Sequence, residues 1–315
     1  MDTLQDLAAP RDHRANTRWF EWGLLSALLL ACVVALSAAR SFEHIDLALT
    51  DQLSRLSTQP ISEEIVIVAI DDKSLAEIGR WPWARHTHAT VIEQITAANP
   101  KAIGLDLILV EPGHASTADD HLLGEAIARN GRVVLPLVLQ DRLGDGTLSR
   151  SEPAAALAAA AAALGHIHLA IDPDGIVRST FLREGDGDRW WDHFAVALLR
   201  VGGFALPAEL PGQRAPVSPT ARTPEAGTWY RDHWAQIPYA GPPGSVVRVS
   251  YADVLQGRVP PETFAQKYVL VGATASGMGD AYATPRSGEA ELMPGVEIAA
   301  NVVNALLGVS SFSVQ

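Results

Sequence analysis

The 315-residue chain reads as an α/β protein: a mixed, mostly parallel sheet flanked by helices, with a β-hairpin, preceded by one transmembrane helix. Three observations predict this. Residues 65–70, 103–110 and 268–272 are apolar runs of strand length, separated by segments with helical spacing, the alternation of a parallel sheet with crossovers. Asp172-Pro-Asp-Gly175 divides two strand-like segments with turn residues in turn positions. Residues 22–39 carry no charge over about eighteen positions, just enough to span a bilayer.

The amino-terminal region sets the expected topology. Arg11, Arg14 and Arg18 precede the apolar run and only Arg40 closely follows it, while Trp19 and Trp22 lie where interfacial aromatics are favoured. The charge bias predicts a cytoplasmic tail over 1–18, a span over 19–40 and an exported domain over 41–308. A cleaved signal peptide is the rival reading, since 35–39 is rich in small residues. The sole cysteine, Cys32, falls inside the run, so the exported domain has no disulfide to draw on. The formal charge is −12 and no Lys/Arg run occurs, which argues against a nucleic-acid partner.

Further along, Phe42, Ile45, Leu49, Leu53 and Leu56 have amphipathic-helix spacing, suited to extending the span, to packing on the domain, or to a homodimer seam. Residues 65–70 predict a strand covered on both faces. Ser74 and Glu77 have capping-box spacing with Gly79 placed to stop the turn. Helices are expected at 88–98 and 121–129. Residues 132–139 form a strand that Pro136 assigns to an edge. Residues 140–152 read as a loop, and the alanine run 154–164 as a helix. The hairpin pairs 166–171 with 176–182. A helix at 194–201 precedes a Pro/Gly-rich insertion at 202–228, and strand-like alternation resumes at 234–239. Ser250 and Asp253 open a short helix ending at Gly257, and Pro294 opens a final helix with an apolar face. Residues 309–315 are expected to lead into a further membrane and output region.

The motif search excludes several chemistries. Gly272–Asp280 reads GATASGMGD and lacks the lysine of a phosphate loop. His86 and His88, two apart, do not share a helical face for zinc. No Gly-x-Ser-x-Gly elbow occurs. The acids remain. Asp71, Asp72, Asp106, Glu111 and Asp280 all fall near predicted carboxyl ends of strands, where parallel sheets gather ligand-binding groups. Such acids could bind a cation, share a proton or hold Arg85 or Arg178; capping of turns and helices is the plainer use. Calcium at Asp172 and Asp174 lacks further oxygen ligands at suitable spacing.

Read in order, Ile70-Asp71-Asp72, Arg80-Trp-Pro-Trp83 with Arg85, Asp106 with Glu111, Asp174-Gly175 with Arg178, Gly241-Pro-Pro-Gly244, Val271-Gly-Ala-Thr274, Gly279-Asp280 and Met293-Pro-Gly-Val-Glu297 resemble the type-2 CHASE domain. That family comprises extracellular sensory domains of bacterial receptors. Ser179 stands where the family often has a second basic residue, and the 202–228 insertion is long for it. The resemblance implies a sensory input domain that relays an environmental signal to a cyclase or kinase output. With the motifs above, no enzyme activity is expected in this chain, and no cofactor and no metal. The implied partners are a small-molecule or ionic signal, the membrane and a second copy of the chain. The candidate ligand-binding set is Asp71, Asp72, Trp81, Trp83, Arg85, Asp106, Glu111, Arg178, Thr274 and Asp280. An exported metal-dependent hydrolase and a passive dimerisation module are the alternatives.

Overall fold

The structure is a computed structural model that describes residues 13–38, 51–52, 60–111, 117–141, 148–186, 189–214, 229–288 and 291–308. The chain divides into two compact units, Met1–Leu53 and Ser54–Gln315. The first contains helix α1 (His13–Ala38), on which Trp22, Leu24, Leu28 and Leu29 are exposed. The expected transmembrane span is not supported. Among the described residues no helix is long and apolar enough to cross a membrane. The predicted amphipathic helix at 42–56 lies almost wholly outside the described residues, as does 309–315.

The second unit is built on a seven-stranded sheet. Strand β1 (Ile65–Ile70) is followed by α2 (Asp72–Ile78), α3 (Arg85–Ala97), β2 (Ala102–Asp106), α4 (Thr117–Asn130), β3 (Val133–Asp141) and β4 (Leu148–Ser151). Next come α5 (Ala155–Ala160), β5 (Ala163–His166), β6 (Ala170–Ile171), β7 (Val177–Gly185), β8 (Trp190–Asp192), α6 (Phe194–Val201) and β9 (Tyr230–Gln236). The chain continues through β10 (Arg248–Ser250), α7 (Tyr251–Leu255), β11 (Tyr268–Ala273), β12 (Ala281–Tyr282), β13 (Met293–Pro294) and α8 (Gly295–Leu307).

The order across the main sheet is β10-β1-β11-β2-β3-β4, with β5 also on β3, and only the β3–β4 pair is antiparallel. The continuous apolar run of β1 follows from its central place. Ile65, Ile67 and Ala69 enter the core under α6 and α8, while Val66, Val68 and Ile70 enter the core under α3, α4 and α7. With both faces covered, no position is left for a polar residue.

Pro136 does not mark an outer edge. The Val133 and Leu137 carbonyls accept from Ala162 and Ile167, so Pro136 points to the opposite, β2 side. There the β2 ladder has ended at Val134 and the β4 ladder starts only at Val138. The proline occupies the gap between two ladders, where no N–H is needed. The alanine run also divides: α5 stops at Ala160, and 163–166 are taken by pairing with β3. A helix preference of a few tenths of a kcal/mol per residue yields to a strand ladder and a buried face. Part of the expected 140–152 loop is likewise strand β4.

The hairpin is present as β6 and β7, joined by Asp172–Gly175, with Gly175 at φ 82°. It belongs to a second, four-stranded antiparallel sheet in which β7 also pairs with β8 and β9. Of the insertion at 202–228, residues 215–228 lie outside the described set.

Candidate functional site

The carboxyl ends of β1, β11 and β2 lie side by side, but the predicted residues divide between structural work and a smaller acidic centre. Asp71 is a cap. Its Oδ1 accepts from the Ser74 backbone N–H (2.8 Å), the Ser74 hydroxyl (2.5 Å) and the Ser250 hydroxyl (2.9 Å). It thereby starts α2 and ties it to the end of β10. The predicted Ser74–Glu77 box does not form; the working pair is Asp71 with Ser74, and Glu77 pairs with Arg258. Asp72 is exposed in the first turn of α2. Thr274 joins two strand ends, its N–H donating to the Ile70 carbonyl at 3.0 Å.

Trp81 and Trp83 belong to an aromatic cluster with His88 and Tyr251. Trp83 is buried, its indole N–H donates to the Gly79 carbonyl at 2.9 Å, and its ring lies 4.9 Å from Tyr251. Trp81 meets Trp83 edge-on at 5.1 Å. His88 Nδ1 bonds the Tyr251 hydroxyl at 2.8 Å, and burial first, then the Arg85 and His86 charges, push its pKa down to about 3. These rings pack the α3–α7 contact.

Arg85 pairs with Asp120 of α4 at 3.1 Å and donates to the backbone carbonyl of Glu111 at 2.8 Å, so it holds two elements together through a carbonyl, not through the Glu111 carboxylate. Arg178 is absent from the sheet edge. It closes the hairpin turn, bonding Asp172 at 2.8 Å and Asp174 at 2.8 and 2.9 Å, and it fills with a guanidinium the place considered for calcium. Its hydrogen bond, ahead of its charge, holds Asp174 below the usual carboxylate range.

What remains is a centre made of Asp106, Asp280 and Tyr282. Asp106 ends β2 and stands in register with Gly272 of β11. Pairing of Ala281 with Pro294 brings the preceding Asp280 against the first residue of α8. A Cβ on Gly295 would lie 2.6 Å from both Asp280 carboxylate oxygens, so glycine is what admits the acid there. Tyr282, two residues on, is the side chain that acts most directly on Asp280. Burial, reinforced by the Asp280 charge, pushes Asp106 up to about 7. Burial also raises Asp280, against the lowering pull of Tyr282. Tyr282 is pushed up to about 12 by burial and by both acids. Asp106 and Asp280 resist ionising together, and Asp280 sits against the positive end of a helix, so a proton or a cation taken up here can change the charge at that helix start. Sequence reasoning found both acids from the strand ends. It missed Tyr282 and Gly295, for which the only signal was a glycine directly after the helix-opening Pro294.

Helix α8 is held along its length by polar side chains. Glu297, fully buried, accepts from the N–H groups of Gly244 (3.0 Å) and Val246 (3.2 Å) and pairs with Arg248. Asn301 accepts from the Ala240 N–H at 3.0 Å. Asn304 accepts from Ser62 N–H at 2.8 Å and donates to the Pro60 carbonyl at 3.3 Å. One helix therefore joins the acidic centre to the segment that enters β1.

The sequence model of the CHASE2 domain family matches residues 27–315. The chain belongs to the CHASE2 family. CHASE2 domains are extracellular sensory domains associated with signalling receptors, so sensing and not catalysis is the work of this fold. No curated protein and no solved structure matches the chain. Among the described residues no group of three His, Cys, Asp or Glu side chains is placed to hold a metal ion.

Proposed function

We propose that this CHASE2 domain is the extracytoplasmic input domain of a bacterial membrane receptor, that its signal acts at Asp106, Asp280 and Tyr282, and that α8 carries the response. The observation that carries this reading is the seat of the Asp280 carboxylate against Gly295 while Asn304, at the other end of the same helix, holds Pro60 and Ser62. A proton, a cation or a ligand with hydrogen-bond donors changes the charge at the helix start, and the two states of the centre then bind that signal unequally, as relay requires. Asp71, Asp72, Trp81, Trp83, Arg85, Glu111 and Thr274 frame or brace the sheet edge in this reading, while Arg178 closes the hairpin turn of the second sheet. The receptor acts as a homodimer and drives a cyclase or kinase output. In cells carrying the receptor, Asp280→Asn shifts the basal output while the chain still accumulates folded. An unchanged output from a folded variant counts against the reading.

A further inference from the structure

Three histidines meet where the two sheets of the second unit join. His166 ends β5, fully buried, and neither of its ring nitrogens has a hydrogen-bond partner among the described residues. The ring of His193, also buried, stands edge-on to it at 5.2 Å, and the two residues share a backbone bridge. His193 does two further things. Its N–H donates to the Leu182 carbonyl of β7 at 2.9 Å, and its Nδ1 accepts from the Ala195 N–H at 3.2 Å, capping α6. A Cβ on Gly165 would lie 2.6 Å from the Phe194 Cα, so α6 rests directly on β5 beside this pair. His168, the third histidine, is bonded to the fully buried Glu184 at 2.8 Å.

An orphaned imidazole in a packed seam costs about 1–3 kcal/mol relative to a partnered one, and an aliphatic residue would fill the place without that cost. What histidine adds is the ability to take a proton. The neutral form fits here and the charged form does not. A protonated His193 loses the lone pair that caps Ala195 and sets a cation at the positive end of a helix. A protonated His166 has no acceptor. Neighbouring charges do not rescue either ring. On β7, Glu184 is already bonded by His168 and by the Trp229 indole, and Arg183 adds a positive charge. On β8, Asp192 pairs with Arg200 of α6, and β9 contributes His233 and Asp232, the latter bonded to Arg214. The facing part of β3, Val134 to Leu137, is apolar.

We propose that His166 and His193 form a proton-operated latch on the seam between the two sheets, closed while both rings are neutral and opened when they are protonated. The latch rests on the packing of this seam and stands apart from the sheet-edge reading above. Opening frees the first turn of α6, which packs on α8. The closed seam holds His193 down to about 3, and His166 well below its ordinary value, first by burial and then by the neighbouring histidines. The open form therefore binds more protons between about pH 6.5 and 3, and the closed form loses ground as pH falls through that window. From pH 7 to 5, one histidine with an ordinary open-state pKa near 6.5 raises the opening constant about 25-fold.

The test is amide hydrogen exchange on the whole chain at pH 7 and pH 5, corrected for the intrinsic pH dependence of exchange, with His166→Leu/His193→Asn as comparison. The asparagine amide introduced by His193→Asn keeps an acceptor for the Ala195 N–H and cannot titrate in this range. Protection over 194–197 should fall about 25-fold or more in the wild type and less than about threefold in the double variant. Equal losses in both proteins overturn the latch. If the double variant does not fold at pH 7, the wild type decides alone. A loss seated at 163–166 and 194–197, with β1 and β11 unchanged, supports the latch; no loss, or a uniform one, overturns it.

Discussion

Replacing Glu297 by alanine removes the carboxylate through which α8 carries the loop from Gly241 to Arg248. The wild-type carboxylate is fully buried and receives two backbone N–H groups and one guanidinium. Gly244 is exposed and rehydrates when its acceptor is gone. The Val246 N–H is buried and does not, which costs about 1–3 kcal/mol. Arg248 is 28% exposed in its side chain, so it loses a charge-assisted bond, worth about 1.5–3 kcal/mol, without being stranded in the core. These losses overlap, and about 3 kcal/mol is the expected sum, or roughly a 6–12 °C fall in Tm for a unit of this size. Glu297→Gln keeps the shape and one acceptor and should lose about half as much. Urea unfolding of the whole chain followed by circular dichroism measures both. A loss below about 1 kcal/mol for Glu297→Ala would refute the claim that this carboxylate anchors the loop to the helix.

Other expectations follow from the same geometry. Asp71→Ala should lose about 1–2 kcal/mol of stability and Asp71→Asn much less, because the side chain works as a cap; equal losses in urea unfolding would contradict that role. Gly272→Ala brings a Cβ to 2.6 Å from the Val296 Cβ, and overpacking of this β11–α8 contact should cost about 1–3 kcal/mol in the same assay. Asp106, raised to about 7 by burial and by Asp280, binds its proton more tightly folded than unfolded. Its contribution to stability is therefore present below the ordinary carboxylate range and declines as pH rises from about 4 to about 7, with a slope near 1.4 kcal/mol per pH unit. Asp106→Asn should flatten that part of the urea-midpoint profile; an unaltered profile would show that Asp106 ionises normally.

Much of the central sheet was legible because its strands obey a simple rule. A strand covered on both faces carries no polar position, and β1 and β11 could be read directly from that. The side chains at their ends were harder to sort. Asp71 looked like half of an acidic pair, yet the Asp-x-x-Ser spacing to Ser74 decides its use as a cap. The alanine run suggested one helix because propensity is local, whereas the ladder with β3 that claims 163–166 comes from residues about thirty positions away. Pro136 suggested an edge because a proline reveals which hydrogen bond is missing, not whether a strand lies opposite. Asp106 and Asp280 could be named from the sequence only as two of five acids near strand ends, with nothing to single out the pair. Tyr282 and Gly295 could not be named, since they meet only through the two-residue β12–β13 ladder. The histidine seam left no trace in spacing, because His166 and His193 are joined by tertiary contact alone.

If α8 carries the response, the charge at Asp280 is felt along the whole helix. Hydrogen exchange of the whole chain, wild type against Asp280→Asn at one pH near 7, tests it most directly. Altered protection is expected at the far end of the helix, over 301–307, and at the Ser62 N–H that Asn304 holds. A change confined to 280–297, with Ser62 and the last turns of α8 unaffected, would contradict it.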